Sequence, residues 1–164
     1  MKYSYTPIQF NKEEDHKDLD EDSYATEIIE NLWLGNSKSA SNISFFTEKK
    51  IKKVINATQT VPNYFESKSN FIEYMRISIK NKKTYREYLK NNLSKIYTFI
   101  DEALSNNQSV LIHCTKGRVQ SAIIVAYYLM KKYSRTKEDT INYIKSRRDT
   151  VLSKKSPLVV CLDF

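Results

Sequence analysis

Cysteine, glycine and histidine are all scarce in this chain, with two of each among 164 residues. Cys114 and Cys161 are too few for the disulfide framework of a small secreted domain, so a reducing, intracellular and cytoplasmic setting is the expectation. His16 and His113 share no ligand spacing with the cysteines, and neither a metal nor a cofactor is expected. No apolar run approaches the roughly 18 residues that cross a bilayer. The stretch Met1 to Phe10 lacks the charged start and apolar core of a secretory leader. A membrane span is therefore not expected.

What is abundant is charge, unevenly placed. Twenty-seven Lys and Arg against 19 Asp and Glu give +8. Residues 1–22 hold seven acidic and three basic side chains, or −4, leaving 24 basic against 12 acidic, or +12, in the remainder. Asn11 to Ser23 is polar and aperiodic, so residues 1–23 read as a flexible acidic leader and 24–164 as one domain. The 40% hydrophobic fraction suffices for a single core at this length. A basic body is suited to meet anions, but charge alone does not choose between nucleic acid, phosphoprotein and phospholipid. No zinc spacing, helix-turn-helix signature or aromatic RNA-stacking motif supports nucleic acid.

Strand and helix periods alternate along the domain. Glu27-Ile28-Ile29 and Leu32-Trp33-Leu34 are short apolar runs, with Gly35-Asn36 closing the second as a turn. A short helix is expected over Ser39 to Lys50, burying Phe45 and Phe46, then a buried strand at Val54 to Ala57. Phe71 to Ile79 alternates as a half-buried strand does. From Thr84 the apolar positions Tyr85, Tyr88, Leu89, Leu93, Ile96, Tyr97, Ile100 and Leu104 recur at helical spacing. Val110-Leu111-Ile112 reads as a buried strand, followed by helices at Ser121 to Tyr133 and Lys137 to Arg148 and a short one at Leu158 to Phe164. The alternation predicts an α/β fold with a central, mainly parallel sheet flanked by helices.

Between that last strand and the apolar helix lies His113-Cys114-Thr115-Lys116-Gly117-Arg118-Val119-Gln120-Ser121. A loop entering a helix N-terminus aims successive backbone N–H groups at one point, where the helix dipole adds positive potential. A cysteine there has its thiolate stabilised, and the thiolate is the nucleophile. Gly117 lets the backbone curl around a tetrahedral anion. Taken singly, Cys114 also fits a small buried hydrophobe and His113 a core histidine.

In this order the residues resemble the dual-specificity phosphatases, a branch of the cysteine-dependent protein tyrosine phosphatases. That family's loop reads His-Cys, five residues, Arg, then Ser or Thr; His113, Cys114, Gly117 and Ser121 match in register. Leu32-Trp33-Leu34-Gly35-Asn36 is similar to its early aromatic-Leu-Gly turn, Ala126 to Met130 to the helix behind the loop, and Arg147-Arg148 to the end of its penultimate helix. The likeness covers roughly residues 24–164. It implies a phosphate-binding loop of His113, Thr115, Lys116, Gly117, Arg118, Val119 and Gln120, with Cys114 in the nucleophile position and Ser121 bonded to the thiolate.

Two family positions are substituted. The loop arginine is expected six residues after the cysteine, where this chain has Gln120; Arg118 is two residues early and reads as a rim residue. The general-acid aspartate is expected about thirty residues upstream, where Asn81 stands. No aspartate occurs between Asp22 and Asp101, and Glu73 and Glu87 are the nearest carboxylates. The resemblance thus implies a pseudophosphatase that binds a phosphorylated protein or another phosphate-bearing ligand. Lys80, Lys82 and Lys83 lie in the upstream loop to assist. The alternatives are an active phosphatase on phosphoprotein, RNA 5′-phosphate or phosphoinositide with a substitute for the arginine, and a scaffold acting through its basic surface. Abundant Lys, Asn, Ile, Ser and Tyr fit an A+T-rich genome, and members of the family in large DNA viruses and protists make a viral source an expectation.

Overall fold

The structure, a computed structural model, describes residues 25–67, 71–78, 82–153 and 157–163. The acidic leader, Lys80, Asn81 and Phe164 lie outside the described residues, as does the side chain of Lys82.

Among the described residues, five strands form one sheet: β1 (Thr26–Ile29), β2 (Leu32–Gly35), β3 (Ile51–Asn56), β4 (Glu73–Arg76) and β5 (Ser109–His113). Their order is β1-β2-β5-β3-β4. β2, β5, β3 and β4 run parallel, and only β1 is antiparallel, hairpinned onto β2 through Asn31 in the left-handed region at φ 66°. The hairpin turn thus falls at Glu30-Asn31, while Gly35 ends β2 and Asn36 caps the helix that follows.

Side-chain alternation divides the core in two. Leu32, Leu34, Ile55, Val110 and Ile112 face the larger cluster, with α3 (Lys82–Ser105), α4 (Gln120–Tyr133) and α5 (Lys137–Arg147) packed on that side. Val54 and Leu111 face the smaller one, with Trp33 against it, covered by α1 (Ser37–Ala40) and α2 (Ile43–Lys49). β5 sits at the centre and is buried at all five residues, so it reads as a continuous apolar run and not an alternating one. α4 is buried from Ser121 through Leu129. A 3-10 helix, Pro157–Leu162, packs on α3 and α4 and buries Cys161.

Two expectations are corrected. The helix expected from Ser39 to Lys50 is broken at Ser41-Asn42, because the Asn42 side chain accepts from Phe45 N–H and starts a new helix there; Phe46 is buried and Phe45 half-buried. The strand expected from Phe71 narrows to β4, an edge strand paired on one side only, and Phe71 is 80% exposed.

Candidate active site

The parallel register sets the site. Gly35 stands opposite His113 on β5, and Asn56 stands opposite it from β3, so three strand ends converge where β5 runs out. The loop then turns under both neighbours: Cys114 N–H donates to Gly35 O at 3.4 Å, Ser37 N–H to Thr115 O at 3.1 Å, and Ala57 N–H to His113 O at 2.8 Å.

Gly117 has φ +66°, and a Cβ there would lie 2.7 Å from Gly35 O and 2.8 Å from Gly35 C. Both atoms are backbone, so the obstruction does not relax by a side-chain rotation. Gly35 is constrained in turn: a Cβ would lie 2.3 Å from Ser39 Oγ. The two glycines of the chain are thus packed against each other. Gly117→Ala should cost about 1–2 kcal/mol for the left-handed backbone alone, plus the displacement of Gly35. The expected outcome is a lower urea midpoint.

Cys114 is 3% exposed. Its Sγ lies 3.0 Å from Ser121 Oγ, where either atom can donate, and accepts from Gly117 N–H at 3.2 Å. Ser121 is fully buried on α4, and Val119, the residue before the helix, supplies no side-chain cap. An anion in the loop would complete that end.

Gln120 is the first residue of α4 and is exposed, with its carbonyl accepting from Tyr85 Oη at 2.7 Å. Burial first, then the Cys114 and Cys161 sulfurs, push the Tyr85 phenol well above its ordinary range, so it stays a donor. A cleft of about 360 Å³ opens over the sulfur, lined by Ala57 to Thr60 on one side and by Cys114, Thr115, Lys116, Arg118, Val119 and Gln120 on the other. Thr115 and Lys116 are exposed, and Arg118 and Val119 half-buried.

The sequence reading missed what holds the loop from beneath. Arg148, 5% exposed, donates from Nε to Gly117 O at 3.0 Å and from Nη1 to Thr26 Oγ1 at 3.0 Å, with Nη2 at 3.5 Å from Lys116 O. Its neighbour Arg147 donates to Glu27 O instead. Arg148 thus holds the Gly117 carbonyl and the start of β1 together. The available signal was the arginine pair at the end of α5, which local periodicity does not interpret.

The sequence matches the family described as "Dual specificity phosphatase, catalytic domain" over residues 32–159. The chain belongs to that family. Among curated relatives, human dual specificity protein phosphatase 9 is 30% identical over 146 residues, covering 87% of this chain and 36% of that protein. Human dual specificity protein phosphatase 6 is 31% identical over 146 residues, with the same two coverages. The chain therefore spans about a third of the length of these relatives. Solved structures share the fold. Human tyrosine phosphatase-like serine/threonine/tyrosine-interacting protein superposes with a TM-score of 0.71 at 22% identity, covering 85% of this chain and 93% of that one. Human DUSP28 gives 0.72 at 17% identity, covering 85% and 90%. Among the described residues, no helix of this family member is long and apolar enough to cross a membrane.

His113 precedes the sulfur and is 1% exposed, with Nδ1 3.4 Å from Cys114 O. Burial lowers its pKa from 6.5 to about 4, opposed by the hydrogen bond to the Cys114 carbonyl, and the Arg76 charge adds a smaller lowering. The imidazole is therefore neutral in the folded dual-specificity phosphatase domain while the unfolded chain takes up a proton near 6.5. The unfolded state binds more protons in that window, so stability is full above it and falls as pH drops toward about 4. Each pH unit removes up to about 1.4 kcal/mol from this group. Urea midpoints at about pH 7 and about pH 5 should differ in that direction, and the difference should shrink in His113→Gln.

Proposed function

We propose that this dual-specificity phosphatase domain binds a phosphorylated protein, or another phosphate-bearing ligand, inside the cell and turns it over little or not at all. The observation that carries the reading is Gln120 at the mouth of an otherwise complete loop. Gly117, Ser121 and the uncapped start of α4 are arranged around the Cys114 sulfur as a phosphate cradle needs. The first residue of that helix, where the family has its arginine, is a neutral amide. An arginine grips two phosphate oxygens with a planar charged fork and follows them into the transition state; glutamine offers one amide group and no charge. Asn81, in the general-acid position, holds no proton for a leaving oxygen.

One observation favours a second reading. Arg118 lines the same cleft as Cys114 and Gln120, so an active phosphatase in which Arg118 supplies the missing charge remains a defined competitor. Calorimetric titration with inorganic phosphate, run beside hydrolysis of a small aryl phosphate, separates the two. Binding without Cys114-dependent hydrolysis supports the first reading, and binding with such hydrolysis supports the second. Salt-sensitive binding of anions that is unchanged in Gly117→Ala would instead assign the work to the basic surface and overturn both.

A further inference from the structure

The end of the sheet away from Cys114 carries a second groove. Ile51 opens β3 and pairs with Ser109 at the start of β5, whereas the loop follows the last residue of β5. At about 3.3 Å per residue, the five residues of β5 put the two sites about 15–20 Å apart. The groove has a volume of about 510 Å³ and lies between α2, the start of β3 and the segment entering β4. Its floor is packed: Phe46 and Ile51 are buried, and Phe46 meets Phe65 edge to face with ring centroids 4.8 Å apart.

The rim is apolar and exposed. Four large hydrophobic side chains are exposed among the described residues, and two of them, Ile43 at 56% and Phe71 at 80%, line this groove. A third, Tyr64, stands beside it with its ring 6.5 Å from that of Phe65. Single exposed apolar residues need no explanation, but a cluster of them over a concave floor marks an interaction surface. The charge is one-sided as well. Among the described residues lining the groove, the charged ones are Lys50 and Lys52, with no carboxylate. Lys50 follows α2, where a cation offsets the negative end of the helix dipole. Lys52 lies beyond it on β3, where no helix end accounts for its charge.

We propose that this groove docks an acidic segment of a partner protein, whose apolar side chains seat on Phe46 and Phe65 between Ile43 and Phe71 and whose carboxylates face Lys50 and Lys52. A second copy of this chain fits less well, because a two-fold contact places one patch on itself and brings lysines against lysines. A bilayer surface is flat, so it would meet the lysines and leave the concave floor unfilled. An acidic segment with apolar anchors satisfies floor and rim together. The groove and the loop cleft share no lining residue, so the inference stands apart from phosphate binding at the loop.

The test titrates the ¹⁵N-labelled full chain with a 12-residue synthetic peptide carrying two leucines and a phenylalanine among aspartates and glutamates. A counterpart peptide has lysines in place of the acids. The acidic peptide should shift the amides of Phe46, Ile51, Lys52 and Ile72 saturably, less so at high salt, and the basic one should not. Ile43→Gln with Phe71→Ser should weaken the acidic peptide about 10-fold or more; both side chains are exposed, so the fold does not rest on them. Lys50→Asn with Lys52→Gln should remove the salt dependence, and asparagine tolerates the left-handed backbone at residue 50, where φ is 55°. No saturable shift, shifts outside the groove, or equal binding of the basic peptide would overturn the proposal. Self-association of the chain, or flotation with phosphatidylserine vesicles, that is lost in Ile43→Gln/Phe71→Ser would also overturn it, assigning the groove to a second copy or to a membrane.

Discussion

Gln120→Arg combined with Asn81→Asp should raise hydrolysis of a small aryl phosphate by about 10²- to 10⁴-fold over the native chain. Restoring one preorganised electrostatic stabiliser is worth about 10² to 10³, and a positioned general acid about 10² to 10⁴. The two act on one transition state and do not simply multiply. An activated aryl leaving group needs little protonation, so most of the gain on that substrate should come from Gln120→Arg alone. The Asn81→Asp contribution should emerge on an alkyl phosphate. The surroundings favour the gain. Gln120 is exposed at the cleft, leaving room for a longer side chain, and its carbonyl is already held by Tyr85. The same pair of substitutions in a Cys114→Ser background should give no gain, which ties the rate to the sulfur. A double variant as inactive as Cys114→Ser would mean that the loop is misshapen and not merely disarmed.

Arg148→Met should have the largest effect on the loop without touching a ligand. Methionine keeps much of the aliphatic stem but removes the charged donors beneath Gly117 and Thr26. Hydrogen bonds to charged groups contribute about 1.5–3 kcal/mol each, and a buried carbonyl left without its donor costs about 1–3 kcal/mol. A stability loss of roughly 3–5 kcal/mol is expected, comparable to breaking other buried charged networks. Arg148→Lys should recover only part of it, because one ammonium does not reproduce a fork that reaches Thr26 Oγ1 and Gly117 O together. Phosphate affinity at temperatures where the variant is folded separates support of the loop from general stability. Weakened binding there marks Arg148 as a positioning residue, and unchanged binding assigns it to stability alone.

Local chemistry made some of this legible and left the rest hidden. Val110-Leu111-Ile112 followed by His-Cys and a glycine is a local pattern, since a parallel strand buried on both faces reads as an apolar run ending abruptly in polar residues. The long amphipathic α3 was equally plain, with Tyr85, Leu89, Ile96 and Ile100 all buried as their spacing requires. The break between α1 and α2 was harder to see. Asn42 competes with the helix by capping the next one, an effect that periodicity cannot register. Phe71 failed for a different reason, because alternation predicts two faces but not whether an edge strand extends far enough to bury its first residue. The bonds of Arg148 to Gly117 O and of Tyr85 to Gln120 O span 31 and 35 residues of sequence, and backbone carbonyls leave no trace in residue type. The mutual packing of Gly35 and Gly117 is likewise visible only once β2 and β5 are paired.

The central claim is that the loop holds phosphate but lacks the charge to turn it over. Single-turnover hydrolysis of a small activated aryl phosphate, by the native chain and by Cys114→Ser at equal and excess protein concentration, tests it most directly. The account predicts indistinguishable traces, with no burst of released phenol in either. A burst in the native chain that Cys114→Ser abolishes would contradict it and make Arg118 the first residue to replace.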